Sequence, residues 1–74
     1  MTDCKDNIRQ RIGSQLRALR EAKGYTLRQL AEEAQINHSH IGKIENGTYN
    51  IRIDTLYQVA SALGCEIAII DKTL

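Results

Sequence analysis

Proline, tryptophan and phenylalanine are absent from this chain, and its large aromatic residues reduce to three tyrosines. Sandwiches and barrels are built from many short strands joined by Gly/Pro-rich turns, so a chain rich instead in Leu, Ile and Ala is expected to form a compact all-α domain. The two cysteines, Cys4 and Cys65, follow no metal-ligand spacing, and no metal site is expected. There is no cleavable hydrophobic leader and no apolar run long enough to cross a membrane, which leads to the expectation of a soluble, cytoplasmic protein with reduced thiols. A nucleophile–base arrangement and a phosphate-cradling loop are missing too, and so small a domain leaves little room for a pocket of ~300 Å³. Neither an enzyme nor a bound cofactor is expected. The formal net charge is only +1, weak support for a nucleic-acid partner, since domains that bind one are commonly far more basic. Seventy-four residues also make a small core, so a second subunit would be a natural source of stability.

What the chain does have is concentrated between Thr26 and Gly47, TLRQLAEEAQINHSHIGKIENG. Leu27, Leu30, Ala31 and Ala34 recur at helical spacing, Ile36 interrupts the period, and Ile41 and Ile44 resume it on a second segment. One helix cannot bury all of these. Two helices of about two turns each, crossing at roughly 90–120° around a short connection, can place every one in a shared core. Ala31 is expected at the crossing, where a larger side chain would push the helices apart. Thr26 with Gln29 three residues on reads as a capping box that starts the first helix at Leu27. Asn37 suits the N-cap of the second, and Asn46 with Gly47 supplies a left-handed stop after Glu45. Such a helix-turn-helix points to double-stranded DNA.

These residues resemble the lambda-repressor-like helix-turn-helix family, the Xre or Cro type, over about Ile12 to Gly64. The resemblance is carried by LRALREAKGYTLRQLAEEA, by HIGKIENG and by the following DTLYQVASALG. Two departures stand out. The turn position that usually carries Gly is Gln35, where a left-handed conformation costs roughly 1 kcal/mol. The family's Gln after the helix-two cap, which touches a phosphate, is replaced by Leu27, so that contact should be absent.

Along the rest of the chain, residues 1–7 read as a frayed tail and residues 8–64 as the DNA-binding domain. Its first helix runs from about Ile8 to Lys23, with Ile8, Ile12, Leu16 and Leu19 as a stripe and Gly24 as the stop. Residues 27–34 and 38–45 form the second and third helices, and 48–53 a polar loop. A fourth covers about Ile53 to Leu63 with Leu56, Val59, Ala60 and Leu63 inward; Arg52 stands where the family has Ser or Thr, leaving the cap to Asn50 or Asp54. Beyond Gly64 the segment Glu66, Ile67, Ala68, Ile69, Ile70 and Asp71 is short, rich in β-branched isoleucine and bounded by charge, which predicts a strand within a tail of residues 65–74. A lone strand needs a partner, so it is expected to pair with its copy as an antiparallel ribbon in a homodimer. The competing reading is a tail or fifth helix folded back over its own domain. Some antitoxin members of the family resembled end in a strand that joins two subunits.

In this architecture the third helix lies in the major groove and the second crosses the backbone above it. With Ile41 and Ile44 inward, the base-reading set is Asn37, His38, Ser39, Gly42 and Lys43, and the resemblance implies that His38, Ser39, Gly42 and Lys43 sit nearest base edges. Lys43 can donate to O6 and N7 of guanine, whereas His38 and Ser39 both donate and accept and so discriminate less. A helix-interior glycine costs about 1 kcal/mol against Ala. For Gly42 that cost has two readings, close approach to the groove wall or a thymine methyl, and close packing between helices. Phosphate contacts are expected from the amide end started by Thr26, from Arg28, His40, Asn46, Thr48 and Arg52, and from Tyr49 unless it packs on the fourth helix.

Lys5, Arg9, Arg11, Arg17, Arg20, Lys23 and Arg28 crowd the first thirty residues, so the basic end either faces a phosphate backbone or is a merely solvated helix face. Arg20 and Glu45 match a charged pair of the family resembled and read as a structural ion pair. The leading function is a homodimeric repressor that occludes a pseudo-palindromic operator. The alternative is an antitoxin, a protein-interaction module that binds a toxin and also DNA.

Overall fold

The computed structural model describes residues 4–71, in which four helices follow one another: α1 (Cys4–Ala22), α2 (Leu27–Ala34), α3 (His38–Asn46) and α4 (Ile53–Ala62). Helix α1 thus begins four residues before the expected Ile8. Of the expected frayed tail, Met1, Thr2 and Asp3 lie outside the described residues, as do Lys72, Thr73 and Leu74 at the other end.

Local chemistry accounts for the helix ends. The Gln29 amide donates to Thr26 Oγ1 at 3.1 Å while the Thr26 amide donates to Gln29 Oε1 at 2.9 Å, so the capping box is complete and α2 starts at Leu27. It stops at Gln35, whose φ of 61° is the left-handed conformation expected at a glycine position. The amides of Gln35 and Ile36 reach back to the carbonyls of Glu32 and Ala31 at 3.2 and 3.0 Å. These two bonds are what compensates the strain of a side chain there. Helix α3 opens on Asn37, whose Oδ1 accepts from the Ser39 amide at 2.9 Å, and closes on Gly47 at φ 75°. Arg52 holds the N-cap position of α4 without a side-chain cap bond, leaving Asp54 to set a negative charge in the first turn.

Leu16, Leu30, Ala31, Ala34, Ile41, Ile44, Val59 and Leu63 form the buried cluster, with Ile36 and Leu56 packed against it. Helix α3 touches both α1 and α2, and α4 packs on α2. The α1 stripe is only partly inward: Leu16 is buried and Ile12 half-buried, while Ile8 and Leu19 are exposed.

The predicted C-terminal strand does not form. Among the described residues there is no strand, and Glu66, Ile67, Ala68, Ile69, Ile70 and Asp71 run as an exposed, irregular tail. A ladder requires a neighbouring backbone with unpaired amides and carbonyls, and four helices offer none. Among the described residues this isoleucine-rich segment therefore has no strand to pair with. Cys65 packs against the core instead, and residues 65–68 border a groove walled by Ile12, Leu16, Leu19 and Leu56.

Candidate nucleic-acid interface

Helix α3 divides into two faces. Ile41, Ile44 and Glu45 are buried; His38, Ser39, His40, Lys43 and Asn46 are exposed, and Gly42 is half-buried between them. Positions three and four apart share a helix face, so Ser39, Lys43 and Asn46 form one exposed polar row, while exposed His38 and Asn46 flank the half-buried Gly42 on the next.

Several of these side chains are already committed. Asn37 Oδ1 accepts from both the amide and the hydroxyl of Ser39, the latter at 2.7 Å. Asn37 is therefore first a cap, left with its amide group to donate, and Ser39 is left with lone pairs to accept. Lys43 stands in the last turn of α3, where the helix dipole favours a positive charge. Its carbonyl accepts from the amide of Thr48 at 3.1 Å and from the Thr48 hydroxyl at 3.3 Å, which pins the following loop to the helix.

That loop is held a second time. The rings of His40 and Tyr49 stack with centroids 5.3 Å apart and planes at 20°, and Tyr49 also packs against the core. The aromatic of the loop is a packing residue, and His40 lies on the flank of α3 that faces it. We expect His40→Ala to lose about 0.5–1.5 kcal/mol of stability, the usual contribution of an aromatic pair, and His40→Phe to keep most of it. Urea denaturation of the three proteins measures this; equal midpoints for the two variants would mean that the stack contributes nothing.

On the other flank, Arg28 and His38 line one open concavity between α2 and α3 together with Asn37 and Gln35. Thr26 spends its hydroxyl on the cap, so what the start of α2 offers an anion is the amides of Leu27 and Arg28 and the positive end of the dipole. Thr48 and Arg52 are exposed. The basic end of the chain is less open than its composition implies. Arg17 is paired with Glu21 at 3.3 Å in solvent, a contact worth little, and Arg20 is turned inward.

Arg20 and Glu45 lock α3 onto α1. Arg20 Nε donates to Glu45 Oε2 at 2.7 Å and Nη2 to Oε1 at 3.1 Å, while Nη1 donates to the Tyr25 carbonyl at 2.8 Å. The pair is almost fully enclosed, with side-chain exposures of 12% and 6%. The hydrogen bonds to Glu45 hold the guanidinium above its ordinary pKa against the opposing effect of burial, with the nearby charges of Glu45 and Glu21 adding to the rise. Beside this pair lies a residue with no motif signature. A Cβ on Gly13 of α1 would collide with the Ile44 carbonyl oxygen and stand 2.6 Å from that of Glu45. The backbone of α3 rests on α1 at a point where no side chain fits. The one sequence signal was a glycine inside a helix, which costs about 1 kcal/mol and so needs a reason.

A short helix whose inner face is clamped at its C-terminal end and whose outer face is a polar row, with a second helix starting beside it, is the geometry of a helix-turn-helix. The family model described as "Helix-turn-helix" matches residues 16–70. The chain belongs to this helix-turn-helix family. Similar members include the immunity repressor protein of Bacillus phage phi105, 37% identical over 59 residues, 80% of this chain and 41% of that protein. Another is the control protein C.BamHI of Bacillus amyloliquefaciens, 32% identical over 62 residues, 82% of this chain and 76% of that protein. Among solved structures, the restriction-modification controller protein C.AhdI from Aeromonas hydrophila superposes with a TM-score of 0.78 at 32% identity, over 81% of this chain and 91% of that one. The chain spans less than half of the phage repressor's length and about three quarters of the C.BamHI control protein's. Among the described residues of this family member, no helix is long and apolar enough to cross a membrane.

Proposed function

We propose that this chain is a DNA-binding transcriptional regulator that reads double-stranded DNA through α3 and acts as a homodimeric repressor by occluding its operator. The observation that carries the reading is the clamp on α3. Gly13 and the Arg20–Glu45 pair fix the helix from behind, leaving Ser39, Lys43 and Asn46 as a row of hydrogen-bonding side chains facing outward. That is the arrangement a major groove demands of a recognition helix. The amides of Leu27 and Arg28 at the start of α2, with Arg28, Thr48 and Arg52, would hold the phosphates on either side. Phosphate contacts position the helix, and base contacts specify the sequence.

The dimer rests on apolar surface left in solvent. Ile53 and Tyr57 on α4 are 68% and 58% exposed, and Ile69 and Ile70 on the tail are 101% and 81%. A second copy of the chain is the occupant that also matches the symmetry of a palindromic site, placing two recognition helices about 34 Å apart.

The test is selection of bound sequences from a random DNA pool at moderate salt, with wild type and Lys43→Ala in parallel. A palindrome from the wild type, blurred at one base pair per half-site in the variant, is the expected result. An unpaired half-site would remove the dimer from the proposal, and no enrichment would remove DNA reading itself in favour of protein interaction through the exposed isoleucines.

A further inference from the structure

Among the described residues nothing requires Gly42 to be glycine. Gly13 and Gly47 each have a neighbour that a side chain would strike, the α3 backbone in one case and Gln10 in the other. Among the described residues a Cβ on Gly42 meets nothing within 4 Å, and the residue lies in the regular backbone of α3 without a positive φ. Packing between helices, one of the two explanations open from the sequence, is thereby excluded. What remains is a bare helical position on the outward side of α3, between exposed His38 one turn before and exposed Asn46 one turn after, beside Lys43.

We propose that Gly42 is a specificity-determining notch in the recognition helix, shaped to receive the 5-methyl group of a thymine in the major groove. The proposal rests on the DNA-reading function above. Gly42 lies past the first turn of α3, so its amide is committed to the helix ladder and the position presents only a CH₂ surface. Every major-groove group that donates or accepts a hydrogen bond would be left unpaired against such a surface. The thymine methyl alone loses nothing there. The neighbouring Lys43 and Asn46 can pair with polar base edges on either side, so an apolar gap one residue wide sits inside a hydrogen-bonding row. A side chain in the gap would hold the helix off the groove floor and weaken those contacts as well.

The steric argument gives stability and binding opposite signs. Wild type and Gly42→Ala are compared by thermal melting and by titration of the operator recovered from the random pool. Each thymine of a half-site is then replaced singly by deoxyuridine, which removes only the methyl. Gly42→Ala is expected to raise Tm by about 4–8 °C, the helix-propensity gain in a domain of this size. It is expected to weaken binding about tenfold, the range of one lost major-groove contact. At one thymine, deoxyuridine weakens wild-type binding and restores binding to Gly42→Ala, because the alanine methyl takes the space of the missing one. Equal affinity of the two proteins for the operator overturns the proposal, and so does a gap between them that no single deoxyuridine narrows. A wild type that enriches no sequence is a separate result, which removes DNA reading itself.

Discussion

Gly13→Ala is expected to melt about 8–16 °C below the wild type. The added methyl would strike the carbonyls of Ile44 and Glu45, and backbone atoms, unlike the end of a flexible side chain, cannot rotate away. Overpacking of this kind costs about 3 kcal/mol. The better helix propensity of alanine offsets about 1 kcal/mol, leaving a net loss of about 2 kcal/mol, which in a domain of this size corresponds to the stated range. The atoms struck belong to the last turn of α3, so the helix proposed to read DNA itself has to move. DNA affinity measured well below Tm should therefore fall as well, at a temperature where the unfolded fraction is negligible. A variant that melts at or above the wild type would show that α1 and α3 separate at no cost and that Gly13 is not the contact described.

Glu45→Gln is expected to cost about 3 kcal/mol. Removing one partner of an enclosed ion pair costs about 3–5 kcal/mol because the other charge is left buried and uncompensated, and glutamine keeps one acceptor for Arg20, which places it at the low end. Arg20 has few alternatives. Its Nη1 is engaged by the Tyr25 carbonyl, and Glu21 Oε2 lies 3.9 Å from Nη2 on a side chain that is 57% exposed. A double-mutant cycle separates the pair from its surroundings. Arg20→Met, Glu45→Leu and the double variant are measured by urea denaturation. The double variant is expected to be less destabilised than the two single losses added together, because neither charge is then stranded. Simple additivity would mean that the two side chains act independently and that the 2.7 Å contact contributes nothing of its own.

Both of these contacts join residues far apart in the chain, and they differ in how much of them the sequence displays. Arg20 and Glu45 were readable because charged residues stand at matching positions of the family resembled. Gly13 was not, since its role depends on where the end of α3 comes to rest. The same contrast explains the tail. Residues 66–71 carry the β-branched isoleucines of a strand between charged ends, but a strand is defined by its partner's backbone, and no helix can act as one. Ile8 and Leu19 belong to the helical stripe of α1, yet both are exposed, because the period identifies a face and only the packed neighbours decide how much of it is covered. Asn37 was expected both to cap α3 and to read bases, and its carbonyl oxygen serves the cap, a local bond that competes directly with any external one.

Legible in the sequence were the ends of α2, the start of α3, its glycine stop one residue beyond the expected Glu45, and the inward set Leu30, Ala31, Ala34, Ile41 and Ile44. Each of these depends on residues within one or two turns: a capping box, an Asx cap, a left-handed stop and a helical period, whose energetics are local. Only the packed fold shows that α3 is held by Gly13 and by Arg20 through Glu45, that His40 lies against Tyr49, that Gly42 faces open space and that, among the described residues, the tail has no strand to join. These are outcomes of non-local packing, where steric fit between backbones, charge enclosure and the presence of a partner are set by elements that no local pattern relates to one another.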